Sequence, residues 1–290
     1  MPWIQLKISA DSKSAEHIGD RLTDAGALSV TMKDNADTPV LEPLPGETPL
    51  WGETQVVGLF DAAVDTNNVV SQLRNELHNR HYQFEALEDK DWIRAWMDHY
   101  KPMKFGKHLW IVPTGYQIEE SDAVEIHLDP GLAFGTGTHP TTALCLEWLD
   151  GLPLRYKSIV DFGCGSGILA IAAMKLGATE ALCVDIDPQA LIATKDNAER
   201  NQVPLEKMHL CYPDRLKNFQ ADVVAANILS GPLEALAPQI AQLCLSGGQL
   251  VLSGLLEEQA DNMIQRYQEW FDMDAAVSLE GWVRLTGSKR

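Results

Sequence analysis

No two cysteines stand in a Cys-x-x-Cys spacing. The five that occur, Cys145, Cys164, Cys183, Cys211 and Cys244, are odd in number and scattered. That argues against a disulfide framework or a zinc site and predicts free thiols in a reducing compartment. Basic charge is also short. Lys and Arg total 23 against 41 Asp and Glu, a formal net charge of -18. Such a surface repels phosphate backbones, so tight binding to bare nucleic acid is not expected and a basic macromolecular partner fits better. No apolar run approaches the roughly 20 residues of a membrane span. Met1-Pro2-Trp3-Ile4-Gln5 lacks the basic region and apolar core of a secretion signal. A cytoplasmic protein without membrane contact is expected. No Gly-Lys-Ser/Thr follows a glycine loop, which excludes a P-loop. What is present, 290 residues at 45% hydrophobic, suffices for one large or two medium domains.

The first third alternates. Ile4, Leu6 and Ile8 keep period two, as do Leu28, Val30 and Met32, and later Tyr82, Phe84 and Ala86. Gln55 to Phe60 is β-rich. Between these strands lie two helical stripes, Ala15-Ile18-Leu22-Ala25 capped by Asp11 or Ser12, and Val69-Val70-Leu73-Leu77. Asp34 to Trp51 reads as an exposed loop. The order β-α-β-β-α-β predicts a small α+β ferredoxin-like domain over residues 1–88. It carries no cluster of catalytic groups, and His78 and His81 read as surface residues. A helical linker over 89–102 follows, with Trp92, Trp96 and Tyr100 on one face. Lys101, Lys104 and Lys107 form a small basic patch, expected to be solvated surface, with contact to substrate as the alternative.

From residue 103 the pattern becomes strand–helix alternation. Two strands, 109–112 and 124–128, precede Phe134-Gly135-Thr136-Gly137-Thr138-His139-Pro140-Thr141-Thr142. Pro140 suits a first helical position, and Thr138 or His139 its cap. Free amides and hydroxyls there are able to hold a polar ligand edge. The stretch that organises the chain is Val160-Asp161-Phe162-Gly163-Cys164-Gly165-Ser166-Gly167, a strand, a glycine turn and the start of a helix. Glycines there tolerate backbone angles closed to other residues and let a ligand approach the main chain. The second strand ends at Asp185-Ile186-Asp187-Pro188. A carboxylate at Asp185 reaches a ribose diol, whereas Asp187, just before Pro188, suits a helix N-cap. Strand 221–226 ends at Asn227-Ile228-Leu229-Ser230. Asn227 has two readings, a cap for the next helix and an acceptor for an incoming amine. A fifth strand, 249–253, a helix to about Trp270, and a hairpin of 273–277 with 281–285 complete the α/β domain. A nicotinamide fingerprint needs glycine where Ile168 stands.

Asp-x-Gly-x-Gly-x-Gly with the strand-end Asp185 and Asn227 resembles the S-adenosylmethionine-dependent methyltransferases of the seven-stranded, Rossmann-like type. Over the whole chain, residues 129–142, Asp161–Gly167, Val184–Pro188 and Asn227-Ile228-Leu229 resemble the family that methylates large-subunit ribosomal protein eleven, PrmA. Ser230 departs from that pattern, where a small apolar residue is expected. The resemblance implies methyl transfer to lysine or N-terminal amines of that ribosomal protein, met as free protein by a monomeric enzyme. The alternative is another protein or a small-molecule amine. It implies cofactor contacts at Thr142, Gly163, Asp185 and Asn227, with Phe134, Gly135, Thr136, Gly137, His139, Gly165 and Ile186 around them, and no metal. It gives the N-terminal domain the task of capturing the substrate. Asn227 positions the amine. No general base is assigned: His139 is a candidate, but a loop-capping histidine is the better reading. Amide and adenine methyltransferases carry Asn-Pro-Pro and an aromatic where this chain has Asn227-Ile228-Leu229-Ser230, which disfavours them.

Overall fold

The structure, a computed structural model, describes residues 3–36, 50, 52–87, 101–129, 137–216 and 219–290. Contacts divide the chain into two compact units, 1–95 and 96–290. The expected linker helix with Trp92, Trp96 and Tyr100 lies outside the described residues, as do 37–49 of the expected loop.

In the first unit β1 (Trp3–Asp11), α1 (Ala15–Asp24), β2 (Ser29–Asp34), β3 (Glu53–Asp61), α2 (Thr66–Gln72), α3 (Arg74–Leu77) and β4 (Tyr82–Leu87) follow one another. The sheet order is β2-β3-β1-β4, antiparallel throughout. That is the split β-α-β arrangement, with each helix joining strands that are not neighbours. Period two decides which face is buried. Leu6 and Ile8 of β1 and Val56 and Phe60 of β3 meet Ile18, Leu22, Val69 and Leu73 from the helices. Two local expectations change. The second stripe breaks at Leu73 into two short helices. Asp11 does not cap α1 itself but accepts from the Lys13 and Ser14 amides in the turn before it, and Ser14 is the N-cap.

The second unit opens with β5 (Met103–Phe105), β6 (Leu109–Val112) and β7 (Val124–His127), a three-stranded sheet. Then come α4 (Pro140–Asp150), β8 (Ser158–Phe162), α5 (Ile168–Lys175), β9 (Glu180–Val184), α6 (Pro188–Arg200), β10 (Met208–Cys211) and β11 (Ala221–Asn227). The chain ends with α7 (Ser230–Ala235), α8 (Ala237–Gln242), β12 (Cys244–Leu256), α9 (Ala260–Tyr267), β13 (Phe271–Met273), β14 (Val277–Leu279) and β15 (Trp282–Lys289). The main sheet runs β10-β9-β8-β11-β12-β15-β13, with β14 paired to β15. Its first five strands are parallel and β15 is antiparallel. Alternate residues of each strand feed two cores. Ile159, Ala225 and Val251 pack with α4, α5 and α6, whereas Val160, Ala226 and Leu252 pack with α7, α8 and α9. Near-continuous apolar runs such as Val223–Ala226 are therefore buried on both faces, as parallel strands require.

The terminal hairpin differs from expectation. Val277 does not end a strand begun at Met273 but starts β14, and both β13 and β14 pair with β15. The helix expected after Asn227 is two helices, broken at Leu236, where Pro238 has no N–H to donate back to the Glu234 carbonyl.

Strand order reverses between β8 and β11, since β9 and β10 lie on one side of β8 and β12 on the other. Loops leaving the carboxyl ends of β8 and β11 diverge there and open a crevice for a ligand.

Candidate functional site

The crevice is a cavity of about 570 Å³, within the range of about 300–1,000 Å³ usual for cofactor sites. Gly163, Gly165, Asp185, Ile186, Asn227 and His139, all singled out in the sequence, line it.

The glycine loop forms its floor. Gly163, Gly165 and Gly167 have φ of 78°, 54° and 76°, the left-handed region that glycine alone enters without cost. A Cβ on Gly163 would also run into Cγ2 of Ile228. The loop is tied down on both sides. The Gly163 and Cys164 amides donate to the Val184 carbonyl at 2.7 and 3.0 Å. The Gly165 amide donates to Oδ2 of Asp185 at 2.9 Å, and the Asp187 amide to its Oδ1 at 3.0 Å. Each carboxylate oxygen keeps acceptor capacity for a ligand hydroxyl. Asp187 accepts from the Gln189 amide at 2.8 Å and caps α6, as its position predicts, whereas Asp185 lines the cavity.

Sequence reasoning missed the far side of this loop. Thr194 of α6 is fully buried and donates to the Gly165 carbonyl at 3.0 Å, and Asn197 donates to the Ser166 carbonyl at 2.9 Å. Two polar residues three apart on a helix that faces the loop were the available signal.

Asp161 sits beneath the loop, buried, with Oδ2 accepting from the Ala170 amide at 3.1 Å. Burial pushes its carboxyl up to about 7, against the Ala170 hydrogen bond and with the aid of the Asp185 charge. The folded state therefore holds this proton when the unfolded chain, at an ordinary aspartate value, has released it. Its contribution to stability is full below about pH 4 and is lost as pH rises to about 7. Asp161→Asn keeps a carbonyl for Ala170 and removes the proton. The variant's unfolding free energy should gain on wild type between pH 4 and pH 7, at up to about 1.4 kcal/mol per pH unit. Urea titrations at several pH values check this, and parallel profiles for the two proteins would refute it.

The opposite wall comes from α4 and β11. Asn227 ends β11, and its Nδ2 donates to Oγ1 of the fully buried Thr142 at 3.3 Å. Its Oδ1 is buried and has no hydrogen-bond partner among the described residues. The capping reading of Asn227 does not hold: the N-cap of α7 is Leu229, without a side-chain bond. Thr142 therefore stands behind Asn227 rather than on the cavity surface. His139 caps α4, its Nδ1 accepting from the Thr141 amide at 3.3 Å and lying 2.7 Å from the Thr141 hydroxyl. Burial holds the imidazole below its ordinary value, and the Glu280 carboxylate opposes that shift. Gly137 has φ of 88°, and a Cβ there would press on Cδ1 of Ile111; it does not line the cavity. Phe134, Gly135 and Thr136 lie outside the described residues.

Apolar side chains complete the enclosure, among them Phe162, Ile228, Leu236 and Trp282. The Trp282 ring meets the His139 ring edge-on, centroids 4.7 Å apart and planes at 69°. Gly254, at the end of β12, has φ of 89° and lies against the Ile228 backbone. A glycine beyond a strand's apolar run was a legible sign for Gly254. Nothing local announced Trp282, which β15 brings back antiparallel from the end of the chain.

An orphaned carbonyl, a carboxylate with spare acceptor sites and a floor without side chains match a nucleoside cofactor that presents a diol and receives a polar nucleophile. The family model described as "Ribosomal protein L11 methyltransferase (PrmA)" matches residues 2–290. Ribosomal protein L11 methyltransferases of Pectobacterium carotovorum subsp. carotovorum and Klebsiella pneumoniae subsp. pneumoniae are each 55% identical over 295 residues. These alignments cover 100% of this chain and 99% and 100% of the relatives. The crystal structure of a ribosomal protein L11 methylase from Lactobacillus delbrueckii subsp. bulgaricus superimposes with a TM-score of 0.60 at 34% identity. It covers 66% of this chain and 100% of that one. A match from residue 2 onward, at this identity and over both full lengths, leaves one assignment: the chain belongs to the ribosomal protein L11 methyltransferase (PrmA) family.

Proposed function

We propose that this protein transfers methyl groups from S-adenosylmethionine to lysine side-chain or N-terminal amines of large-subunit ribosomal protein eleven. The observation that carries the reading is Asn227 on the wall of a cavity floored by the glycine loop and Asp185, with its Oδ1 buried and without a hydrogen-bond partner among the described residues. When bound, the cofactor supplies a methyl group made electrophilic by a sulfonium.

The chain's residues then have separate tasks. Asp185 would hold the ribose hydroxyls, each donating to a carboxylate oxygen already oriented by a backbone amide. Gly163 and Gly165 would let the cofactor lie against the main chain, and Ile186, 82% exposed beside the acid, would cover a base. Asn227 Oδ1 would accept a hydrogen bond from the incoming amine and fix its lone pair toward the methyl, a positioning task. Thr142 would steady the plane of the Asn227 amide. The apolar wall of Phe162, Leu236 and Trp282 would favour the neutral amine over the ammonium by withholding solvation. His139, engaged at Nδ1 as a helix cap, is not needed as a base in this reading.

The first unit would capture the substrate. Residues 1–95 carry 16 acidic and 8 basic side chains, a charge balance that suits a basic ribosomal protein. The reading further takes the enzyme as a cytoplasmic monomer acting on the protein before it joins the ribosome. No helix among the described residues is long and apolar enough to cross a membrane.

Incubating the enzyme and S-adenosylmethionine with a mixture of ribosomal proteins, followed by mass spectrometry, tests the assignment. Mass increments of 14 Da per methyl group should appear on large-subunit protein eleven. Increments confined to other proteins, or to small amines, would replace the substrate. Their complete absence alongside tight NAD binding would overturn the cofactor.

A further inference from the structure

The turn between β14 and β15 has two residues, Glu280 and Gly281, with φ of 53° and 81°. Leu279 and Trp282 pair directly across it. Positive φ at both positions is the tight hairpin turn whose twist suits paired strands, and it favours Asn-Gly, Asp-Gly or Gly-Gly. A glutamate in the first position is held in a conformation its side chain disfavours. Local folding does not ask for it there.

Its surroundings suggest what does. The neighbouring Trp282 lines the cavity, and β12 and β15 pair at Leu256 and Trp282. The Glu257 amide donates to the Gly281 carbonyl at 3.1 Å, which fixes the tip against the end of β12. Glu280 is exposed, and among the described residues no lysine or arginine pairs with it. Its field nevertheless reaches His139, a second wall residue. Val277 and Leu279 are also exposed, at 41% and 39%. The hairpin thus offers a short apolar strip that ends on an exposed carboxylate two residues before the cavity-lining Trp282.

We propose that Glu280 is the carboxylate that receives the substrate's ammonium group outside the cavity, before the amine enters to meet Asn227. The proposal rests on the amine-methylation reading given above and adds a docking residue to it. A lysine amine in solution is overwhelmingly protonated and an N-terminal amine mostly so, so the species that arrives is a cation. The apolar wall is a poor host for that cation, and a carboxylate at its rim raises the local concentration of ammonium ends without following them inside. Val277 and Leu279 would cover the methylene stem of a lysine, whose apolar length ordinarily packs on such surfaces. An N-terminal amine lacks that stem and would gain less from the strip.

Steady-state methylation of ribosomal protein eleven at saturating cofactor tests this with Glu280→Gln, Glu280→Lys and Glu280→Gly. Removing the charge should raise KM by about threefold, the size of one exposed ion pair. Reversing it should raise KM by about tenfold. In both variants kcat should change less than KM, and KM should lose much of its dependence on salt. Glu280→Gly separates docking from folding. It suits the turn, so Tm should hold or rise while KM rises as for Gln. Unchanged KM in Gln and Lys variants, with wild type active, would overturn the docking role alone. If wild type itself transfers no methyl to the ribosomal protein, the amine-methylation reading and this proposal fall together.

Discussion

Asn227→Ala should lower kcat for protein methylation by about 10²-fold while raising the Kd of S-adenosylmethionine by less than about tenfold. The asymmetry follows from where the side chain's two ends are engaged. Nδ2 is already committed to the Thr142 hydroxyl, so the amide plane is set before any ligand arrives. Oδ1 is buried without a partner. An unmet buried acceptor costs about 1–3 kcal/mol, and an N–H donor brought to it by the substrate removes that cost. The amine gains positive charge as it is methylated, so the interaction strengthens in the transition state. Loss of one such preorganised group costs about 10²–10³ in rate. Stability should change little, because relief of the unmet Oδ1 offsets loss of the bond to the buried Thr142 hydroxyl, and Asn227 does not cap α7. Single-turnover rates at saturating cofactor, with a calorimetric Kd beside them, check the split. A kcat within threefold of wild type would remove Asn227 from the reaction, and a Kd effect larger than the kcat effect would make it a cofactor ligand only.

The parts of this site that the sequence revealed share one property: their determinants are local. The glycine loop is legible because a strand, a turn needing φ above zero and a helix start follow within ten residues of each other. Asp185 and Asp187 are separable because Pro188 marks the helix start and so assigns the cap. The split β-α-β unit is legible because period-two strands and helical stripes alternate in an unambiguous order. What escaped is set by pairing between distant segments. Trp282 reaches the cavity only because β15 runs antiparallel beside β12, and nothing in its neighbours fixes that partner. The β13–β14 break at Asp274 was hidden because an apolar alternation from Met273 to Val277 fits a continuous strand equally well. Thr194 and Asn197 are polar positions of α6 whose partners, the carbonyls of Gly165 and Ser166, lie about thirty residues back in the chain and so leave no local mark. The N-cap of α1 moved for a related reason. Asp11 was expected to bond the helix and instead closes the turn before it, a choice between adjacent amides that composition does not encode.

Asp185→Ala should raise the Kd of S-adenosylmethionine by about 10²–10³-fold. The carboxylate stands at the end of β9, one residue past Val184, with one oxygen held by the Gly165 amide and the other by the Asp187 amide. It is therefore preorganised, and a ligand diol need not meet the cost of ordering it. Hydrogen bonds to a charged group contribute about 1.5–3 kcal/mol each, and two acting on one diol, counted below full additivity, give about 3–4 kcal/mol. A second effect adds to the first. Without Asp185 the Gly165 amide loses its acceptor, so the loop that forms the cavity floor loses one tie on its open side and keeps those from Thr194 and Val184. The two effects are separable with the 2′-deoxy form of the cofactor. In wild type, removing that hydroxyl should weaken binding by about tenfold, the share of one charge-assisted bond. In Asp185→Ala the same removal should change little, since its partner is already gone. If the hydroxyl mattered equally in both proteins, Asp185 would be a brace for the glycine loop, and the ribose would have another acceptor.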